Sequence, residues 1–367
     1  MTVTVSSMLI ALIASTLLIA LLSYIFATKR SYKNFRIDFL SILFLITVFR
    51  LCFPSEAFYT FTIEAPLFMN PITEFLNIKI INNLSILHLL IIIWIVGCLY
   101  KGKKLFDQIN QTNYLFCCIK RKSKRKEIKY YLPEYQGKDY PIYFSEFVPS
   151  PMVLLFKKAI LLPYVDYTDL EITNILNHEI AHLSYHDAFI KRFIQILTIL
   201  YWWFPLVYVL EKQINLYLEL RVDSRVSRKM NKEDSLHYMS TLLSVKRKSL
   251  DSSLFPITQI SSFTIMENKD ILTFRIEYFL EGNFKNKTKK PILVCLIFLF
   301  ICSNLIIFEP SYPNTEITEG THSTTEFGYI VHKKDGSYCL ILKDGINAGT
   351  FSDISDPIFK GLEIREE

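Results

Sequence analysis

Two histidines and a glutamate lie within five consecutive residues, His178-Glu179-Ile180-Ala181-His182. Residues four apart on an α-helix project from the same face one turn apart, so the two imidazoles can bind one metal ion. Glu179 can reach a metal-bound water without binding the metal itself. This HExxH spacing is typical of metal-assisted amide hydrolysis, and it predicts Zn²⁺ as the cofactor and Glu179 as the general base.

The spacing requires a helix, and the preceding residues predict one. Thr168 and Glu171 have the spacing of a capping box, in which each side chain bonds the backbone of the other residue. Apolar residues follow at helical intervals up to His182. The sequence therefore predicts a helix over residues 168–182.

A catalytic zinc site needs a third protein ligand. Glu219 is the preferred candidate, because it shares a helical face with Asp223, which can accept the N–H of a ligating imidazole and fix its tautomer. The other interpretation of these two carboxylates is an ordinary solvated acidic pair. His186 is the alternative ligand, since it continues the four-residue spacing. However, a ligand on a third helical turn, such as His186, lies too far along the helix to reach the same ion, and no glycine bends the chain toward it.

The group that would stabilise the oxyanion of the reaction is left open by the sequence. Tyr185, Arg221 and His237 are candidates, and each is equally plausible as a surface or packing residue.

The composition indicates that part of the chain lies in lipid, because 51% of its 367 residues are hydrophobic. Four apolar stretches approach the length that crosses a bilayer, at residues 8–27, 39–53, 84–100 and 292–308. Lys29 and Arg30 follow the first stretch, the reverse of the order in a secretory signal. We therefore interpret it as a retained span.

Basic residues cluster at positions 29–36, 101–129 and 285–290. The positive-inside rule puts all three clusters in the cytoplasm and the N-terminus outside. The run at 120–126 is compatible with nucleic-acid binding, but a basic stretch beside anionic lipid is the preferred interpretation. A lipid bilayer is therefore an expected partner, and a nucleic acid is not.

Another apolar stretch, Phe189–Leu210, constrains this topology. If it crossed the membrane, Glu219 would lie on the opposite side from His178, and the two could not bind one metal ion. Lys191 and Pro205 near its ends favour a bent or re-entrant element. A true span would exclude Glu219 as a ligand.

These patterns predict a mainly α integral-membrane protein with four divisions. Residues 1–100 form a transmembrane bundle, 101–290 a cytoplasmic α+β domain, 291–308 a last span and 309–367 a small external β unit. Within the second division, Ile142–Phe147 and Ala159–Leu162 are predicted strands. In the acidic tail, Asp335-Gly336 between two apolar runs predicts a β-hairpin.

The joint pattern resembles the membrane zinc peptidases of the BlaR/MecR-type antibiotic sensor-transducers. The resemblance covers about residues 85–285. It rests on the following motifs: Asn177 to His182 with Asp187, Glu219 with Asp223, Ser150-Pro151, Ile160 to Pro163, and Trp202 to Pro205.

The resemblance implies that His178, His182 and Glu219 bind zinc in a glutamate-zincin site and that Glu179 is the general base. It also implies a multi-pass protein of the bacterial inner membrane that cleaves a cytoplasmic protein, such as a transcriptional repressor, or itself, in signal transduction. The tail beyond residue 309 is too short for a penicillin-binding sensor domain, so β-lactam sensing is not expected. The other hypothesis is a non-hydrolytic membrane sensor or scaffold with a structural zinc site. Prenyl-protein processing enzymes share the same metal residues, and the oligomeric state is not predicted.

The topology can be tested by cysteine labelling in sealed cells. We expect a membrane-impermeant thiol reagent to label Ser337→Cys but not Ser123→Cys in a cysteine-free background, because Ser337 lies in the outward-facing tail and Ser123 in the cytoplasmic domain. Labelling of both positions would contradict the topology.

Overall fold

A computed structural model describes the greater part of the chain. The described residues are 4–28, 36–54, 60–81, 84–154, 157–228, 230–252, 269–280, 288–302, 305–311, 328–333, 336–342, 347–351 and 362–366. Most of the basic clusters at 29–36 and 285–290 lies outside these residues, as does Asp335 of the predicted hairpin turn.

The described chain is mostly helical. Its helices are α1 (Val5–Ala27), α2 (Ile37–Cys52), α3 (Pro66–Asn77), α4 (Ile86–Lys122), α5 (Ile128–Tyr131), α6 (Asp169–Ser184), α7 (Asp187–Leu200), α8 (Leu206–Ser227), α9 (Lys232–Ser252), α10 (Lys269–Leu280) and α11 (Lys290–Cys302).

Short strands occur between and after the helices. They are β1 (Phe61–Glu64), β2 (Lys79–Ile81), β3 (Leu84–Ser85), β4 (Arg125–Glu127), β5 (Pro141–Ser145), β6 (Met152–Leu154), β7 (Ala159–Pro163), β8 (Ile306–Glu309), β9 (Gly328–His332), β10 (Tyr338–Leu342), β11 (Asn347–Phe351) and β12 (Glu363–Glu366). The predicted strands at 142–147 and 159–162 are confirmed as β5 and β7. The chain divides into two compact units, residues 1–63 with 75–307 and residues 64–74 with 308–367.

Two helices of the larger unit, α1 and α4, are long and apolar enough to cross a membrane. The other two predicted spans form shorter helices, α2 and α11. In the last predicted span, residues 291–308, helix α11 ends at Cys302 and strand β8 begins at Ile306. A chain with these helices is consistent with a membrane protein, while the four-span bundle stays a prediction. The apolar core around α1 also includes side chains of α2, α8 and α11.

A four-stranded sheet, in the order β4-β5-β7-β6, separates two helices of the larger unit. Ile142 and Ile160 on one face pack against Leu176 of α6. On the other face, Leu161 belongs to the cluster that contains Phe116 of α4. Because successive strand residues point to opposite faces, the apolar runs of β5 and β7 are buried on both sides. The sheet thus fixes α6 relative to α4.

Helix α6 ends before His186. Ser184 is its last residue, and His186 has a left-handed backbone with φ of 55°. The expectation that His186 continues the helix of His178 and His182 was therefore wrong. The chain turns here, and α7 leaves in a new direction.

Helices α7 and α8 form a hairpin. The residues at 201–205 separate them, and Lys191 near the start of α7 lies 3.4 Å from Glu219 near the end of α8. The apolar stretch Phe189–Leu210 is therefore not one continuous helix, and Glu219 returns to the side of His178. This geometry agrees with the bent element that the sequence favoured.

The smaller unit contains a sheet in the order β11-β10-β9-β12. Strands β9 and β10 pair antiparallel, and Gly336 in their connection has φ of 84°, which glycine adopts without strain. The predicted β-hairpin is confirmed. Ile330, Leu340 and Leu362 form the apolar centre of this sheet.

Gly97 of α4 provides a test of how this helix packs on the α7–α8 turn. A Cβ atom at Gly97 would collide with the ring of Trp202, whereas one at Gly102 of the same helix would meet nothing within 4 Å. Alanine is favoured over glycine in helices by about 1 kcal/mol. We expect Gly97→Ala to lower the thermal unfolding midpoint in detergent and Gly102→Ala to maintain or raise it. Equal midpoints for the two variants would contradict this packing.

Candidate metal centre

Helix α6 is held at its start and along its buried side. The side chain of Thr168 accepts the backbone N–H of Glu171, and Glu171 accepts that of Thr168, so the predicted capping box is present. Glu171 also accepts a hydrogen bond from Lys248 of α9. Ile175 and Leu176 pack on the sheet, and Ile175 lines the same cavity as His178 and His182.

The structure brings together three atoms that can bind a metal. The Nε2 atoms of His178 and His182 are 3.2 Å apart, and Oε2 of Glu219 lies 3.4 Å and 3.5 Å from them. Ligands at zinc bond lengths of about 2.0–2.1 Å in a tetrahedron are separated by about 3.4 Å. His178, His182 and Glu219 therefore fit one zinc ion without rearrangement, and they form a possible metal-binding group in the described chain.

The orientation of His178 depends on a tyrosine that the sequence did not indicate. The hydroxyl of Tyr238 on α9 donates to Asp223 over 2.7 Å and lies 2.8 Å from Nδ1 of His178. Since that hydroxyl proton is used on Asp223, Nδ1–H of His178 donates to the tyrosine oxygen. In the neutral imidazole Nε2 is then the nitrogen without a proton, which is the form that binds a metal.

Asp223 is anchored by Arg275 of α10. The guanidinium donates two hydrogen bonds of 2.7 Å to the two carboxylate oxygens. Asp223 is 0% and Arg275 2% exposed. The direct distance from Asp223 to Nδ1 of His178 is 3.4 Å, which is longer than either of the two hydrogen bonds that join them through Tyr238. The predicted partnership of Asp223 with a ligating histidine is thus mostly indirect in this geometry.

His182 has its own carboxylate. Its Nδ1 lies 2.8 Å from Oδ2 of Asp187, the first residue of α7, and Arg221 of α8 donates to the other oxygen of that carboxylate. In the sequence analysis Asp187 appeared only as part of the motif that begins at Asn177. The contact leaves Nε2 of His182 directed toward the other two ligand atoms.

Charge at the site favours a cation. Burial lowers the pKa of His178, but the carboxylates of Asp223 and Glu219, each 3.4 Å from one of its ring nitrogens, outweigh burial and raise the pKa to about 10. Burial raises the pKa of Glu219, but His182 and Lys191 outweigh it and hold the pKa well below its usual range. The carboxylates that attract a proton to these imidazoles also attract a divalent ion, which competes with that proton.

Glu179 is buried beside the three ligand atoms. It is 6% exposed and lines the same cavity of about 170 Å³ as His178, His182 and Glu219. Burial raises its pKa above the ordinary glutamate value, although both histidines oppose this effect. A carboxylate with a raised pKa is suited to accept a proton and return it near neutral pH.

The predicted oxyanion candidates do not line this cavity. The guanidinium of Arg221 lies 5.3 Å from the centroid of the Tyr185 ring, and His237 is exposed. Lys191 and Arg275 do line it, and the sequence analysis named neither as a candidate. No local sequence pattern marks these two residues, because each reaches the cavity from a different helix. His186 is exposed and is not one of the three clustered ligands.

The cavity also bears on the structural-zinc hypothesis. Structural zinc sites usually have four protein ligands, commonly including cysteine. Among the described residues that line the cavity there is no cysteine, and three protein ligands are brought together. A fourth position facing the cavity is typical of a catalytic site.

Comparison with known protein families shows which family this chain belongs to. A model of the family described as BlaR1 peptidase M56 matches residues 3–278. The chain belongs to this family. The M56 peptidase family is one of metallopeptidases, so the resemblance seen in the motifs is confirmed at the level of the family.

Curated proteins of this type match shorter parts of the M56 chain. The methicillin resistance mecR1 proteins of Staphylococcus aureus strain Mu50 and of Staphylococcus epidermidis are each 24% identical over 182 residues, which is 46% of this chain and 30% of theirs. The regulatory protein BlaR1 of Bacillus licheniformis is 33% identical over 95 residues, 25% of this chain and 16% of its own. The chain thus covers less than a third of the length of these relatives.

The ligand set predicts a graded response of metal binding. We expect His178→Ala, His182→Ala and Glu219→Ala to lose zinc, because each removes one of three ligands, and Glu179→Gln to keep it. Tyr238→Phe and Asp223→Asn should retain zinc with affinity lowered about 10- to 100-fold, since they weaken the support of His178 but remove no ligand. Competition titration with a chelating dye and elemental analysis of the purified protein measure both effects.

His186→Ala is the matched control, because it removes an exposed histidine close in sequence to the ligands. It should bind zinc like the wild type. Zinc loss in this variant together with full occupancy in Glu219→Ala would show that the third ligand was wrongly assigned.

Proposed function

We propose that this protein is a membrane-anchored zinc endopeptidase that cleaves a protein on the cytoplasmic side. His178, His182 and Glu219 would hold the zinc, and Glu179 would be the general base. The observation that carries the proposal is the separation of 3.2–3.5 Å among three ligand atoms, with a buried glutamate lining the same cavity.

The chemistry divides between the ion and Glu179. Zinc, when bound, polarises a peptide carbonyl and makes a water molecule more acidic. Glu179 accepts the proton of the attacking water and passes it to the amine that leaves. Its buried position supports this shuttle, because burial raises its pKa toward neutrality. Tyr238 and Asp187 hold the two imidazoles so that each Nε2 faces the same point.

Cationic groups in the cavity are suited to the charge that develops on the carbonyl oxygen. Lys191 lies 3.4 Å from Oε1 of Glu219, and Arg275 lies 3.6 Å from its Oε2. Because Arg275 is already bonded twice to Asp223, Lys191 is the better donor toward a substrate. Oxyanion stabilisation by such a group lowers the barrier of amide hydrolysis.

Strand β6 offers a binding edge for an extended substrate. It is the outer strand of its sheet, and residues 150–153 line the metal cavity. An extended peptide can pair with the backbone of such an edge strand and present alternate side chains to neighbouring pockets. Pairing here would hold a peptide bond beside Glu179.

The site is far from the apolar part of α4. Lys191, beside Glu219, lines a cavity together with Thr112 of α4. At about 1.5 Å per residue, Thr112 lies roughly 18 Å beyond Tyr100, where the apolar stretch ends. The basic residues that follow Tyr100 favour the cytoplasm for this part of the chain. A substrate from the aqueous phase, such as a transcriptional repressor, is therefore proposed rather than one within the bilayer.

The names of the relatives, regulatory protein BlaR1 and methicillin resistance mecR1 protein, support a role in signalling. We propose the same class of role here, with residues 1–100 and 291–308 as the membrane anchor, 101–290 as the peptidase domain and 309–367 outside. A sensor with a purely structural zinc is the second hypothesis, and it predicts no cleavage.

Comparison of protein termini in cells tests the function directly. We expect the wild type to produce new N-termini in one or a few cytoplasmic proteins that are absent from cells with Glu179→Gln. Glu134→Gln, an exposed glutamate changed in the same way, is the control and should behave like the wild type. Identical termini in the wild type and Glu179→Gln, with zinc bound in both, would support the structural-zinc hypothesis instead.

A further inference from the structure

A second cavity of about 60 Å³ lies between α4 and α7. Its walls are Thr112 and Asn113 on α4 and Arg192 and Gln195 on α7. The end of β6 and Lys157 complete it. Apolar side chains line it as well, among them Ile109, Phe116 and Leu154, so the cavity combines charged, polar and apolar walls.

This second cavity adjoins the metal cavity. Val153, Ala188 and Lys191 line both. Val153 is the central residue of β6, with the metal cavity beside residues 150–153 and the second cavity beside Val153 and Leu154. A peptide paired with the edge of β6 would therefore pass from one cavity into the other.

The second cavity is positively charged. Lys157, Lys191 and Arg192 line it, and the described residues of its wall include no carboxylate. Lys191 is partly neutralised by Glu219. With Lys157 and Arg192, the described residues of the wall carry three positive charges beside the one carboxylate of Glu219, and Thr112, Asn113 and Gln195 add uncharged hydrogen-bonding groups. A carboxylate side chain matches these donors in charge and in hydrogen bonding.

The position of the cavity favours a peptide over a lipid headgroup. Thr112 lies roughly 18 Å along α4 from the end of its apolar stretch at about 1.5 Å per residue. This distance exceeds the reach of a headgroup at the membrane surface.

We propose that the second cavity is a specificity subsite that binds an aspartate or glutamate side chain of the substrate, within a few residues of the cleaved bond. This inference rests on the proposed peptidase function and adds a substrate class to it. Arg192 and Lys157 determine the preference for acidic residues, and the C-terminal end of β6 determines on which side of the cleaved bond that residue lies.

The test uses the full chain in neutral detergent and a library of peptides made by digesting a bacterial proteome. Mass spectrometry of the cleaved products gives the residues enriched around each cleavage site. We expect Asp and Glu to be enriched at one position near the cleaved bond. In a matched pair of synthetic peptides, replacing that residue by Gln or Asn should lower kcat/KM about tenfold or more.

Charge reversal tests the assignment to the cavity. Arg192→Glu and Lys157→Glu should lose the acidic preference and gain one for Lys or Arg at the same position. Arg192→Gln should only weaken the acidic preference. Lys138→Glu, an exposed lysine that lines neither cavity, is the control of equal charge change and should leave the preference intact. Zinc content and thermal unfolding report whether each variant is folded.

The outcomes separate this proposal from the function itself. Cleavage without acidic enrichment, or enrichment that survives both charge reversals, would overturn the subsite and leave the peptidase intact. An effect of the reversals only after addition of phosphatidylglycerol would assign the cavity to a lipid headgroup and also overturn it. A folded, zinc-bound wild type that cleaves no more peptides than Glu179→Gln would refute the function and the subsite together.

Discussion

The metal centre depends on one buried carboxylate. Asp223 is fully enclosed, and burial of a charge costs several kcal/mol unless partners compensate it. Arg275 supplies two hydrogen bonds and Tyr238 a third. These contacts join α8, α9 and α10, and through Tyr238 they reach His178 on α6. Loss of one member of such a pair typically costs about 3–5 kcal/mol, so the orientation of the imidazole is coupled to the packing of four helices.

The contact between α6 and α9 contains polar pairs along its length, beside Val245, which packs in the apolar cluster of Ile175 and Leu176. Asn174 donates to Thr241 over 3.0 Å, His178 pairs with Tyr238, and Glu171 at the start of α6 pairs with Lys248. Apolar faces tolerate small shifts, whereas a row of buried hydrogen bonds is satisfied in one register only. The position of α9 and the direction of Nε2 in His178 are therefore determined together.

Packing of α7 on α4 allows one chain to combine an apolar anchor with a polar site. Trp94 donates to the carbonyl of Leu200 over 2.7 Å, near the end of α7, while Lys191 near its start borders the metal cavity. The end of α7 thus packs beside the apolar stretch of α4, and its start lies beside the basic part. This arrangement separates the residues that would contact lipid from those that would contact substrate.

The sequence by itself determined the local features of the site. The capping box at Thr168 and the four-residue spacing of His178 and His182 depend only on helix geometry, and the hairpin at Gly336 depends on its turn residues. Each of these involves neighbours in the chain, so a pattern of residue types was enough to predict it. The strands β5 and β7 were predictable for the same reason, because their apolar runs are continuous.

The tertiary structure decided which distant residues complete the site. It brought Glu219 to within 3.4 Å of His178, made Tyr238 the partner of that histidine and brought Arg275 to Asp223. These contacts depend on how separate helices pack, and no local pattern encodes that packing. His237 was a candidate and Tyr238 was not, since only the rotation of α9 about its axis determines which of the two faces the metal centre.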